Sequence, residues 1–106
     1  MRTLRFIVDK QIIKQDPECN FDNIVPGTAG YLRAEFSFSD EWDKTIKVVA
    51  FYRNGNECPP QILKDGKSCE IPAEALKGRQ FSIKILGKNK DVRITTNEFE
   101  VVQNGG

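Results

Sequence analysis

No histidine occurs anywhere in the 106 residues of this chain. That absence removes the commonest general base, the commonest zinc ligand and the usual partner of a serine or cysteine nucleophile. Cysteine is scarce as well: Cys19, Cys58 and Cys69 are an odd number and contain no C-x-x-C pair. A disulfide framework and a cysteine-built zinc site are therefore not expected, and each thiol reads as a free, small apolar residue. No Gly-rich phosphate loop leads into a helix, and no G-x-S-x-G elbow is present. The expectation is a chain without enzymatic activity, without a catalytic residue, and without a cofactor or metal.

Long apolar runs are missing too. Nothing approaches the roughly 18 residues of a spanning helix. The opening Met-Arg-Thr-Leu-Arg-Phe-Ile-Val-Asp has too few apolar residues for a signal peptide, so cytoplasmic synthesis and no membrane association are expected. Neither sign of charge prevails: sixteen Lys and Arg stand against fifteen Asp and Glu, for a net charge of +1. Proteins that grip nucleic acid gather basic residues on one face, because phosphate neutralisation supplies their affinity. Here the densest basic stretch, Lys84 to Arg93, is interrupted by Asp91 and reads as a solvated hairpin, so no nucleic-acid partner is expected.

What the chain does have is strand pattern. Leu4, Phe6 and Val8 alternate with Thr3, Arg5 and Ile7, and Ile12-Ile13 adds a short second segment. Turn formers fill the stretch from Pro17 to Gly30. From Tyr31 to Phe38, Leu32, Ala34, Phe36 and Phe38 face one way, while Tyr31, Arg33, Glu35 and Ser37 face the other. One wet face and one dry face is the pattern of an antiparallel sheet. Thr45 to Arg53 is apolar on both faces and reads as a central strand. Asn54-Gly55 signals a hairpin, and Pro59-Pro60 confines Gln61-Ile62-Leu63 to a sheet edge. Ser68 to Ile71, Phe81 to Ile85 (ending at Gly87), Val92 to Thr95 and Phe99 to Val102 supply the remaining strands. The only helical signal is Pro72 to Gly78, long enough for a connector alone.

Two polar clusters have residue types that could carry chemistry. Asp40, Glu41 and Asp43 surround Trp42 but lack the alternating oxygen ligands of a calcium loop, so Trp42 reads as a structural plug at a corner. Arg93-Ile94-Thr95-Thr96-Asn97 reads as a strand end whose hydroxyl and amide groups tie down a turn. The terminal Gly105-Gly106 resembles the end of ubiquitin-like modifiers, but Asp16 to Gly30 lacks the helix such folds need, and a flexible tail over 103–106 is the plainer expectation.

Together these features predict one all-β domain over residues 1–106: an antiparallel, immunoglobulin-like β-sandwich of seven to nine short strands with one short connecting helix. A small closed β-barrel is the alternative. A chain of this length can bury about 60–70% of the surface its unfolded form exposes, enough for one core.

Four segments carry a resemblance to a known group. They are Tyr31 to Ser39 with Glu41-Trp42-Asp43, Lys47 to Tyr52, Cys69 to Leu76, and Arg93 to Asn97. As an ordered set they resemble small phage and prophage structural proteins of Gram-positive bacteria, including the N-terminal β-sandwich domains of tail and baseplate proteins. The resemblance implies a non-enzymatic virion, tail or baseplate-associated protein-binding module. It would be made in the bacterial host cytoplasm and bind itself or other virion proteins, with a homo-oligomer as one form. Many such proteins continue into trimeric fibre or carbohydrate-binding regions, so host attachment is not implied for this chain. A reading from a different class is a small phage-encoded inhibitor that blocks a host protein, for example a defence factor. The candidate interaction residues are Tyr31, Tyr52, Gln61, Ile62 and Leu63. The edge near Gln61 to Lys64 and the first strand would be the sites of strand addition.

Overall fold

The computed structural model describes residues 1–103. Among the described residues ten strands form two sheets: β1 (Arg2–Asp9), β2 (Ile12–Gln15), β3 (Leu32–Phe38), β4 (Ile46–Arg53), β5 (Asn56–Glu57), β6 (Gln61–Ile62), β7 (Ser68–Glu70), β8 (Gln80–Lys88), β9 (Arg93–Thr95) and β10 (Phe99–Val102). The four-stranded sheet has the order β2-β1-β3-β7. In the six-stranded sheet β4 and β8 lie side by side at the centre, with β5 and β6 along the free side of β4 and β9 and β10 along the free side of β8. The two separate sheets make this an all-β sandwich, not the closed barrel held as the alternative.

Two details correct the expectation, while the short connecting helix is found where expected, as a 3₁₀ segment over Ala73–Lys77, with a further 3₁₀ turn at Asp40–Trp42. There are ten strands instead of seven to nine, because β5 and β6 are two-residue pieces that pair with one side of β4. The pairing is antiparallel throughout except between β1 and β3, which run parallel with Arg2 opposite Leu32 and Val8 opposite Phe38. A parallel pair normally returns through a helix. Here β2 doubles back along β1, so residues 16–31 need only cross the end of the sheet before β3 begins beside the start of β1.

That crossing loop is held by side chains. The Arg2 guanidinium donates to the carbonyls of Asn20, Asp22 and Asn23 at 3.1, 2.6 and 3.2 Å. Ile24 is buried, and Phe21 sets its ring edge-on to Phe6 at 5.2 Å.

The inner faces follow the alternation read from the sequence. Leu4, Phe6, Val8, Ala34 and Phe36 from one sheet meet Val49, Phe51, Phe81, Ile83 and Ile85 from the other. Phe6 stacks on Phe36 within its sheet at 5.2 Å and meets Phe99 of the opposite sheet edge-on at 5.7 Å. Each such fully buried side chain contributes about 1.5–3 kcal/mol relative to exposure.

Trp42 closes one end. It has no exposed surface, and its Nε1 donates to the Lys10 carbonyl at 2.7 Å, tying the β1–β2 turn to the corner after β3. Ser39 reinforces the joint, since its hydroxyl accepts from the Lys10 N–H at 2.8 Å. Gly87, read as a strand end, lies inside β8 and leaves the space that the Trp42 ring fills.

At the other terminus Gln103, expected to open the flexible tail, is buried instead. Its N–H donates to the Arg79 carbonyl at 2.6 Å and its Nε2 to the Gly78 carbonyl at 2.7 Å. The rest of that tail, with Gly105-Gly106, lies outside the described residues.

Candidate functional site

The sheet edges, which the sequence suggested for strand addition, are short or already occupied. β1 is not an edge: β2 and β3 flank it. Its first half, beyond the reach of β2, is sealed by the crossing loop. The Asp16 N–H donates to the Arg5 carbonyl at 3.0 Å, and the Cys19 thiol accepts from the Arg5 N–H at 3.3 Å while donating to the Thr3 carbonyl at 3.7 Å. Cys19 thus stands where a strand partner would. The outer side of β2 is met by Asn97, whose Oδ1 accepts from the Ile13 N–H at 2.8 Å and whose N–H donates to the Gln11 carbonyl at 3.0 Å. The Thr96 hydroxyl accepts from the Ile85 N–H at 3.0 Å, so this polar pair binds one sheet to the other.

The faces differ more than the edges. On the outer side of the four-stranded sheet two adjacent cross-strand rows are polar, Thr3, Arg33 and Glu70 forming one and Arg5, Glu35 and Ser68 the next, while Ile7 stands between Lys14 and Ser37 in the third. Arg5 and Glu35 form an exposed ion pair at 3.4 Å, and Arg33 donates to the Ser68 hydroxyl at 3.0 Å.

The outer side of the six-stranded sheet is built otherwise. Its register places Ile62, Val48, Leu86 and Thr95 in one row across β6, β4, β8 and β9. Ile46 extends this apolar strip and is 69% exposed, and Ile62 is 57% exposed. Ala50 and Lys84 form the next row, followed by Glu57, Tyr52, Ser82 and Glu100. Three contiguous depressions mark the surface. One of about 420 Å³ lies against Ile46, Val48, Leu86 and Lys90, one of about 330 Å³ against Ala50, Pro60 and Thr95, and one of about 450 Å³ against Tyr52, Ser82 and Glu98.

Charge is divided along the strands of this face. Lys88, Lys90 and Arg93 lie at the end where β4 begins, and Glu57, Glu98 and Glu100 at the end where β4 finishes. Tyr52 feels the acidic end: partial burial first, then the charges of Glu57 and Glu98, raise its phenol above the ordinary value.

The sequence candidates fall into three places. Tyr52, Gln61 and Ile62 share the six-stranded sheet. Tyr31 is exposed but stands at the start of β3 in the other sheet, where its carbonyl accepts from the Arg2 N–H. Leu63 is a correction: it turns inward and is only 5% exposed, because the strand alternation that exposes Ile62 buries its neighbour. Val48, Leu86 and Ile46 were not singled out. The signal was present, since Thr45 to Arg53 is apolar on both faces and a two-layer sandwich has only one inner face to cover them.

Two of the three thiols, Cys58 and Cys69, are buried. Burial pushes Cys69 up to about 12 and raises Cys58. Asp65 is held well below the carboxylate range by the Ser68 hydroxyl and by the N–H groups of Lys67 and Ser68, which lock a turn. Among the described residues, no three Cys, Asp or Glu side chains are grouped to hold a metal ion.

No protein-family model, no curated protein and no solved structure matches this chain.

Proposed function

We propose that this chain is a non-enzymatic protein-binding module that works through the outer face of its six-stranded sheet, as a virion, tail or baseplate-associated component of a phage. The observation that carries the binding role is the apolar row Ile62, Val48 and Leu86, with Ile46 beside it, on a face no other layer covers. Exposed apolar groups scattered singly are ordinary, whereas a contiguous strip rimmed by charge marks an interaction surface. The covered first half of β1 and outer side of β2 favour face-to-face docking over strand addition there. A histidine-free chain whose buried thiols are held protonated supports binding over catalysis. The placement in a phage particle rests on the resemblance of the Tyr31–Ser39, Lys47–Tyr52, Cys69–Leu76 and Arg93–Asn97 segments to phage structural proteins.

Photo-crosslinking in the cells that make the protein tests this reading. A benzoylphenylalanine at Ile62 is expected to form adducts with particle proteins or with this chain itself, while one at Ser37, on the outer face of β3, forms none. Adducts from Ser37 alone, or from neither position, would overturn the binding face. An adduct from Ile62 with a host protein and with no particle protein would replace the structural role by that of a host-directed inhibitor.

A further inference from the structure

We infer that the occupant of this face is a second copy of the same chain, docked face to face about a two-fold axis that lies in the interface and crosses the strands at mid-length. The inference rests on the proposed binding role of the face and names its partner.

The argument is one of self-complementarity. A two-fold axis in the interface brings a patch against itself, so the patch must carry both halves of every contact. An axis running along the strands would set the basic end of one copy, with Lys88, Lys90 and Arg93, against the basic end of the other, and the two ends repel. An axis running across the strands exchanges the two ends. The row of Ile46, Lys88 and Arg93 then lies over the row of Tyr52, Ser82 and Glu100 of the second copy. Strand by strand, Ile46 meets Tyr52, Val48 meets Ala50, Leu86 meets the stem of Lys84, and Arg93 meets Glu100. Each contact occurs twice. The basic end opposes the acidic end and the apolar strip lies between them, with charges at the rim, as in specific interfaces generally.

The size of the face sets the strength. From Ile46 to Tyr52 it runs about 20 Å, and its four strand positions, three ordinary strand spacings, span about 14 Å. That planar footprint, about 300 Å², is below the ~800 Å² per partner of a standard stable interface, so the dimer is a weak one in the micromolar range.

Sedimentation velocity over a concentration series, with Arg93→Glu and Glu100→Arg as separate variants, tests the inference. Both positions are exposed, and unchanged circular dichroism and melting confirm that the variants fold. The wild-type chain is expected to show a concentration-dependent monomer–dimer equilibrium. Each variant alone sets like charges opposite each other and is expected to weaken the dimer tenfold or more. An equimolar mixture of the two restores both opposite pairs and is expected to dimerise at least as well as wild type.

A wild-type chain that stays monomeric up to about 1 mM, far above the micromolar range, overturns the second copy as occupant. If Ile62 crosslinks nevertheless capture another protein, the binding face survives that failure. A wild-type dimer that neither charge reversal weakens, or a mixture that is not rescued, overturns the geometry and puts the contact elsewhere.

Discussion

Gly87 and Trp42 occupy complementary halves of one volume: a Cβ built on Gly87 would lie 2.7 Å from both Cε3 and Cζ3 of the Trp42 ring. The glycine is the penultimate residue of β8, paired with Lys47 of β4 on one side and Ile94 of β9 on the other. Its lack of a side chain lets the indole approach the β8 backbone while Nε1 reaches the Lys10 carbonyl. The plug therefore fastens the β1–β2 turn of one sheet to the central strand of the other.

Gly87→Ala is accordingly expected to cost about 1–3 kcal/mol, the usual range for overpacking a filled core. In a Trp42→Phe background the smaller ring gives way and the added cost of the alanine falls. Urea unfolding of the four chains in a double-mutant cycle measures the coupling, expected to exceed about 0.5 kcal/mol. Additive effects would show that the two residues do not share the space.

Part of this was legible in the sequence and part was not, for physical reasons. Period-two alternation at Leu4 to Val8 and Leu32 to Phe38 identified the inner faces, because burial on one side writes itself into local sequence. The parallel β1–β3 pairing is a long-range choice made by an irregular loop, and no local pattern encodes it. The sequence ends β8 at Gly87, one residue before its observed end at Lys88, but it cannot show that the Trp42 ring fills the place of the missing Cβ. Leu63 stands beside Ile62 among the candidate interaction residues, but adjacent strand residues point to opposite sides and Leu63 is buried. The binding face was half visible: Val48 and Ala50 were read as apolar on the second side of a central strand. That the second side is uncovered follows only once the layers are counted.

The crossing loop depends on Arg2 for three carbonyl contacts. Arg2→Ala is expected to loosen residues 16–31 without unfolding the sandwich, since most of the core lies outside the loop. Chymotryptic cleavage after Phe21 under native conditions should accelerate roughly tenfold, the factor that about 1.4 kcal/mol of lost local stability produces when the open form is what is cut. An unchanged cleavage rate with an unchanged melting temperature would show that the loop is held without Arg2, by Phe21, Ile24 and the contacts of Asp16 and Cys19 with β1.

Cys69 makes the fold sensitive to alkali. Burial holds its thiol protonated up to about 12 in the folded chain, whereas an unfolded thiol titrates at about 8.5. A folded pKa above the unfolded one means that the contribution to stability is complete below pH ~8.5 and is lost as the pH rises from there towards 12. Unfolding curves of the parent and of Cys69→Ala should diverge over that window, with the parent losing stability faster. Parallel curves would show that the thiol is not protected by burial.

The account stands on the uncovered face of β4 and β8, and carbene footprinting of side chains addresses it most directly. The protein is labelled in dilute solution and again in its assembled state, in the particle or as the concentrated chain. The account predicts that Ile46, Val48, Ile62 and Leu86 lose labelling on assembly while Ile7 and Val25 keep theirs. Protection of Val25 and Tyr31 with Ile62 and Leu86 labelled as fully as in dilute solution would contradict it.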